Sequence, residues 1–207
     1  MSGTSPATVS TFAELARRIT ESPARCGPIR LVAIDGHGGA GKSTFAARLA
    51  RALGDVPTVH TDDFASWQEP IEWWPRLEAE VLKPLERGVP VSYRAYDWDR
   101  RELGAPRELE PSAVVLLEGV SSARRELADR LSLAVWVEAP REICLARGIA
   151  RDGEAMRSQW ERWLAHEDMF YAGDPIAERC DLIVDGAPSV NHQPETEFVT
   201  YRPAHRS

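Results

Sequence analysis

Residues 36–43 read Gly36-His37-Gly38-Gly39-Ala40-Gly41-Lys42-Ser43, the pattern G-x-x-x-x-G-K-[ST] without a gap. These residue types suit the grip on a polyphosphate. Glycine admits positive φ and lets main-chain N–H groups come close to phosphate oxygens. Lys42 would reach the β- and γ-phosphates, and the Ser43 hydroxyl would ligate Mg²⁺. A helix starting at Thr44 would aim its positive N-terminal end at the same anion. Gly36, His37, Gly38, Gly39, Ala40, Gly41, Lys42, Ser43 and Thr44 are thus the candidate nucleotide-binding residues. Lysine occurs only twice, as Lys42 and Lys83, among 25 basic residues. A chain that otherwise uses arginine keeps the compact ammonium in the loop, where a planar guanidinium would not fit.

Phosphoryl transfer also needs a carboxylate near the metal, a proton acceptor for the attacking hydroxyl, and positive charge for the transition state. Glu118 ends the apolar run Val114-Val115-Leu116-Leu117 and is the candidate metal carboxylate. Asp35 directly precedes the loop and would orient it. Asp62 and Asp63 follow Thr58-Val59-His60-Thr61; successive strand residues point to opposite sides, so one of them would face the site as base. Arg147 and Arg151 are four apart, on one helix face, and with Arg157 flank the break Asp152-Gly153. They would close over the triphosphate as a lid of about residues 147–158 that carries its own arginine fingers. Of seven tryptophans, Trp67, Trp73, Trp74 and Trp98 fall in an insert of about residues 64–111, where an acceptor would sit. A planar acceptor would stack there, with Tyr96-Asp97-Trp98 as a polar handle. Trp73, Trp136, Trp160 and Trp163 suit the core.

The elements that must hold these groups alternate. Helical spacing predicts a helix over 11–19 with Phe12, Leu15, Ala16 and Ile19 on one face. Strands are expected at 29–35, 58–61, 113–119, 133–137 and 180–184, with helices at 44–53, 72–87, 122–130, 140–151 and 154–170. Pro84 should distort the end of the third of these helices. Residues 89–96 look extended and 97–111 irregular. Apolar strands alternating with helices imply an α/β fold with a mostly parallel sheet covered on both faces. Residues 1–186 form a single domain on this reading, and 187–207 an extended or partly disordered tail.

The chain has 207 residues, 43% of them hydrophobic, and a net charge of −7. That charge argues against a nucleic-acid backbone as main partner. No apolar run approaches membrane-spanning length. Three cysteines without C-x-x-C spacing read as reduced thiols of a cytoplasmic protein, and the scattered histidines offer no metal site.

Taken in order, Val32-Ala33-Ile34-Asp35-Gly36 through Ser43-Thr44, Asp62-Asp63-Phe64, Tyr96-Asp97, Leu117-Glu118-Gly119-Val120, Arg147 with Arg151-Asp152, and Cys180-Asp181-Leu182-Ile183-Val184 resemble the uridine kinase family of P-loop kinases, related to phosphoribulokinase. The likeness covers about residues 29–186. It implies a P-loop NTPase fold with a five-stranded parallel sheet, flanking helices and an arginine-bearing lid. It also implies ATP or GTP with Mg²⁺, Asp62 as base, and Tyr96 bordering a nucleoside. Ala65 stands where the family often has Tyr, Ser66-Trp67-Gln68-Glu69-Pro70 stands near its Asp-His-Pro segment, and Arg101 stands at the place of a base-contacting His. Asp62, Asp63, Trp67, Tyr96, Trp98 and Arg101 are the candidate acceptor residues, and Asp62, Lys42, Arg147 and Arg151 the candidate catalytic ones.

The expectation is a γ-phosphoryl transferase acting on a small alcohol, first the 5′-hydroxyl of a uridine- or cytidine-like nucleoside, with homo-oligomers allowed. A nucleotide, sugar or specialised metabolite is the alternative acceptor. A nucleotide-hydrolysing switch is disfavoured, because the base-reading motif N/T-K-x-D is absent.

Overall fold

A computed structural model describes residues 7–66, 73–110 and 112–203, the side chains of 202 and 203 excepted. The 67–72 segment, which includes Trp67, lies outside the described residues.

The apolar runs form the strands their composition demands. β2 (Arg30–Asp35), β3 (Thr58–His60), β6 (Val114–Glu118), β7 (Leu131–Glu138) and β8 (Leu182–Asp185) pair in parallel in the order β8-β7-β2-β6-β3. Side chains alternate across this sheet. Leu31 and Ala33 of β2 enter one core with Val115, Leu117, Leu77 and Leu82, while Val32 and Ile34 enter a second with Leu116, Val135, Leu49 and Ile19. Burial on both faces is why these strands read as continuous apolar runs rather than alternating ones.

Two antiparallel strands extend the sheet past β8. β9 (Glu197–Pro203) pairs with β8 and with β1 (Thr8–Thr11). The stretch expected to be an extended or partly disordered tail thus supplies β9 to the sheet. α1 (Phe12–Glu21) starts at Thr11 with a reciprocal cap: Glu14 N–H donates to Thr11 Oγ1, and Thr11 N–H donates to Glu14 Oε2, both at 3.2 Å. α2 (Lys42–Ala52) follows the glycine loop.

The insert holds one helix, α3, in three consecutive pieces: Trp74–Leu77, a π-helical Glu78–Leu82, and Lys83–Glu86. A proline ring clashes with the carbonyl four residues back, here that of Glu80, so the distortion Pro84 causes lies upstream of it. β4 (Val91–Asp97) and β5 (Glu102–Leu109) then form a separate hairpin. β5 falls in the stretch expected to be irregular. Its residues are mostly exposed and include Gly104 and Pro106, so it carries no apolar signal.

The helix expected over 122–130 is absent, and only a 3-10 turn, Arg125–Leu127, forms. The amides of Ser121 and Ala123 donate to the Asp35 carboxylate at 2.9 and 2.7 Å, and Ser121 sits at φ 61°. Those amides are committed outside any helix. α4 (Arg141–Asp152) and α5 (Arg157–Gly173) flank Gly153 and a 3-10 turn. The three cysteines carry no disulfide. Among the described residues no helix is long and apolar enough to cross a membrane.

Candidate active site

The carboxyl ends of β2, β3 and β6 meet at one edge of the sheet, where ligands bind in such folds. The loop after β2 turns tightly. Gly39 sits at φ 79°, and a Cβ there would lie 2.3 Å from the Cys144 carbonyl oxygen. Only glycine lets the loop pass so close to α4. Lys42 Nζ donates to the His37 carbonyl at 2.9 Å, which folds the ammonium back over the loop. The Asp35 carboxylate is fully buried and accepts from the amides of Gly36, Ser121 and Ala123 and from the Tyr171 hydroxyl. Burial pushes its carboxyl up, against those hydrogen bonds and the Lys42 charge. Asp35 is the tie between the loop, the segment after β6 and α5.

Ser43 Oγ donates to Glu118 Oε1 at 3.1 Å. The other Glu118 oxygen lies 2.6 Å from His60 Nδ1, a partner that the sequence reading missed. Burial alone would push the Glu118 carboxyl up. The His60 hydrogen bond and the Lys42 and His60 charges outweigh it and hold the group low. The same hydrogen bond raises His60 against burial. A hydroxyl and a carboxylate in contact form an oxygen-only donor set of the kind a hard cation takes. Among the described residues no group of three or more His, Cys, Asp or Glu could hold a metal, so phosphate oxygens and water would complete the shell of a Mg²⁺ held by Ser43 and Glu118.

Asp62 and Asp63 lie in a 3-10 turn directly after β3. The turn separates them. Asp63 is buried and accepts from the Tyr93 hydroxyl at 2.9 Å and from Arg107 at 2.7 Å, which pins the hairpin to the sheet. Asp62 is accessible at the floor of the cleft. Protein walls around it desolvate the carboxyl and push its pKa up, with Lys42, His60 and Arg151 opposing and Glu118 reinforcing. A raised carboxylate pKa suits a general base.

The proposed acceptor residues separate. Trp98 Nε1 donates to the Asp62 carbonyl at 3.3 Å, and its ring lies edge-on to Tyr96 and 5.5 Å from Trp163. The buried Tyr96 hydroxyl has no hydrogen-bond partner. Arg101 instead occupies the exposed hairpin turn at φ 57°, where its amide donates to the Asp97 carbonyl.

The arginines expected to form a lid also differ from each other. Arg147 grips main-chain carbonyls, those of Gly39 and Ala40 in the loop and of Gly186 after β8, at 2.9–3.3 Å. These contacts brace the loop from the side. Arg151 stacks 5.3 Å from the Trp160 ring, pairs with Asp152, and lies in the field of Asp62. Arg157 pairs with Glu154. A cavity of about 450 Å³ beside Gly41 and Thr44 is lined by Arg147, Gly186, Pro188, Phe12 and Phe198 among others. It adjoins the start of α2, where a nucleoside attached to bound phosphates would continue.

Glu167 of α5 was also missed. It is buried and accepts the Gly38 amide at 2.9 Å. Its signal was a charge on the apolar stripe Trp160, Leu164, Tyr171.

The model of the family described as Phosphoribulokinase / Uridine kinase family matches residues 72–191. A uridine kinase from Deinococcus deserti is 28% identical over 179 residues, 74% of this chain and 86% of its own. A uridine kinase from Pasteurella multocida is 26% identical over 159 residues, 64% of this chain and 74% of its own. A solved structure from Silicibacter sp. TM1040, proposed to be a fructose transport system kinase, superposes with a TM-score of 0.64 at 25% identity. It spans 79% of this chain and 95% of its own.

Proposed function

Because the chain belongs to the phosphoribulokinase and uridine kinase family of P-loop kinases, we propose that it transfers the γ-phosphoryl group of ATP or GTP to the hydroxyl of a small molecule, first the 5′-hydroxyl of a nucleoside. One observation carries the reading: an exposed carboxylate, Asp62, lies in the electrostatic field of Lys42 and of Glu118, the partner of Ser43. Asp62 would accept the proton of the attacking hydroxyl. Lys42, the loop amides and Arg151 would face the charge of the transferring group, and Arg147 would hold the loop in shape. Mg²⁺, when bound, would neutralise phosphate charge. The Tyr96–Trp98–Trp163 wall beside Asp62 favours a planar ring on the acceptor. A sugar is the second reading, supported by the likeness to the proposed fructose transport system kinase.

The test is ADP release with MgATP or MgGTP against nucleosides, nucleotides and sugars in turn. Release that depends on a nucleoside supports the first reading. Release with a sugar alone selects the second, and release indifferent to every acceptor rejects transfer in favour of hydrolysis.

A further inference from the structure

α5 lays one face along the phosphate loop. Trp160, Leu164, Glu167 and Tyr171 recur on that face at helical spacing. Three of them do what such a face requires. Leu164 fills the core, Trp160 packs on Gly38 and Gly148, and Tyr171 bonds Asp35. Glu167 does not fit that pattern. It is 1% exposed, and among the described residues no basic side chain forms an ion pair with it. Its carboxylate instead accepts the Gly38 main-chain N–H at 2.9 Å, within a loop whose amides are arranged to receive an anion.

We propose that Glu167 is a positioning residue for the donor triphosphate: it holds the Gly38 amide while the loop is empty, and it takes up a proton from solvent when the phosphates arrive beside it. The inference rests on the reading that this loop binds a nucleoside triphosphate. A buried carboxylate and a triphosphate cannot share one loop as unscreened anions, and protonation of the carboxyl removes that repulsion while an oxygen still faces Gly38.

The groups around Glu167 come from every packed element. Lys42 of α2 favours its charge. Asp62 after β3 and Asp35 of β2 oppose it. Cys144 of α4 and Tyr171 of α5 complete its surroundings. Burial outweighs Lys42 and the Gly38 hydrogen bond, and the carboxyl is raised to about 7. Added phosphate charge would raise it further. Proton uptake is then near zero well below that value, where the group is already neutral, and greatest just above it.

The measurement is calorimetric titration of MgATP into the full chain, at about pH 6 and about pH 8, in pairs of buffers that differ in ionisation enthalpy. Magnesium-bound triphosphate is fully ionised near the higher pH, so any proton counted there comes to the protein. The wild type should take up close to one proton at about pH 8 and little at about pH 6. Its affinity should fall roughly fivefold between about pH 7 and about pH 8. Glu167→Gln keeps a carbonyl for the Gly38 amide and cannot titrate. It should show no uptake at either pH and an affinity flat within about twofold. Wild-type binding without uptake at the higher pH overturns the inference, as does uptake that persists in Glu167→Gln. The wild-type result alone decides if the variant does not fold. Failure of MgATP to bind at all rejects the nucleotide reading, and this inference with it.

Discussion

Two adjacent aspartates show how little chain separates structure from chemistry. Asp63 is bonded to Tyr93 and Arg107, and Asp62 is exposed in the electrostatic field of Lys42 and Glu118. Asp62→Asn should lower kcat about 10²–10⁴-fold with acceptor present and leave the urea midpoint near wild type. Asp63→Asn should do the reverse. The buried Tyr93 hydroxyl and the exposed Arg107 lose a charged partner, a cost of about 1–3 kcal/mol read as a lower urea midpoint. Alternation along a strand suggested the separation, but a 3-10 turn produces it. Arg147 and Arg151 divide in a similar way. Arg147→Ala removes the brace on Gly39, Ala40 and Gly186 and should raise KM for the donor more than it lowers kcat. Arg151→Ala should chiefly lower kcat, because no main-chain contact holds it to the loop. Steady-state kinetics in both substrates separates the two. Lys42, Ser43 and Glu118 were legible because a motif or a strand end announces them. His60 and Glu167 were not, since their meaning lies in partners 58 and 129 residues away.

The packing of α4 on α5 depends on how closely the two helices approach. At Gly148 of α4 an added Cβ would lie 2.4–2.7 Å from the Trp160 ring of α5. Gly148→Ala should therefore push the helices apart, at an overpacking cost of about 1–3 kcal/mol. The thermal midpoint should drop, and donor binding should weaken, because Trp160 and Glu167 both reach the loop from α5. An unchanged midpoint would show that α5 gives way freely. Elements with strong periodicity or apolar runs were legible, among them α1, β2, β6 and β7. The failures have local causes. The amides of 121 and 123 serve Asp35 instead of a helix, and β5 is an exposed strand with no buried face to mark it.

At the scale of the molecule, five parallel strands form the frame the sequence reading anticipated, and β1 and β9 extend it by two antiparallel strands. β9 also lines the cavity beside the start of α2. Phe198 of β9 meets Phe12 at 5.1 Å and Phe45 of α2 at 5.3 Å, and it lines the cavity beside Gly41 and Thr44. Phe198→Ala should cost about 3–5 kcal/mol in chemical denaturation and weaken donor binding. Normal stability in that variant would make β9 an ornament of the sheet. No apolar pattern announced β9, because its partner strand β1 is nearly 190 residues away in sequence. That pairing has a mechanical consequence. Thr8 lies opposite Thr200, and the strands run antiparallel, so a pull on both ends of the chain loads the β1–β9 ladder from one end, while β8 grips β9 on its other side. The rungs between β1 and β9 are then loaded one at a time, as in a zipper, and not sheared together. A tethered molecule should therefore yield first at low force as β1 peels from β9, loosening Phe12 from Phe198 at the cavity beside α2 while the parallel strands still hold.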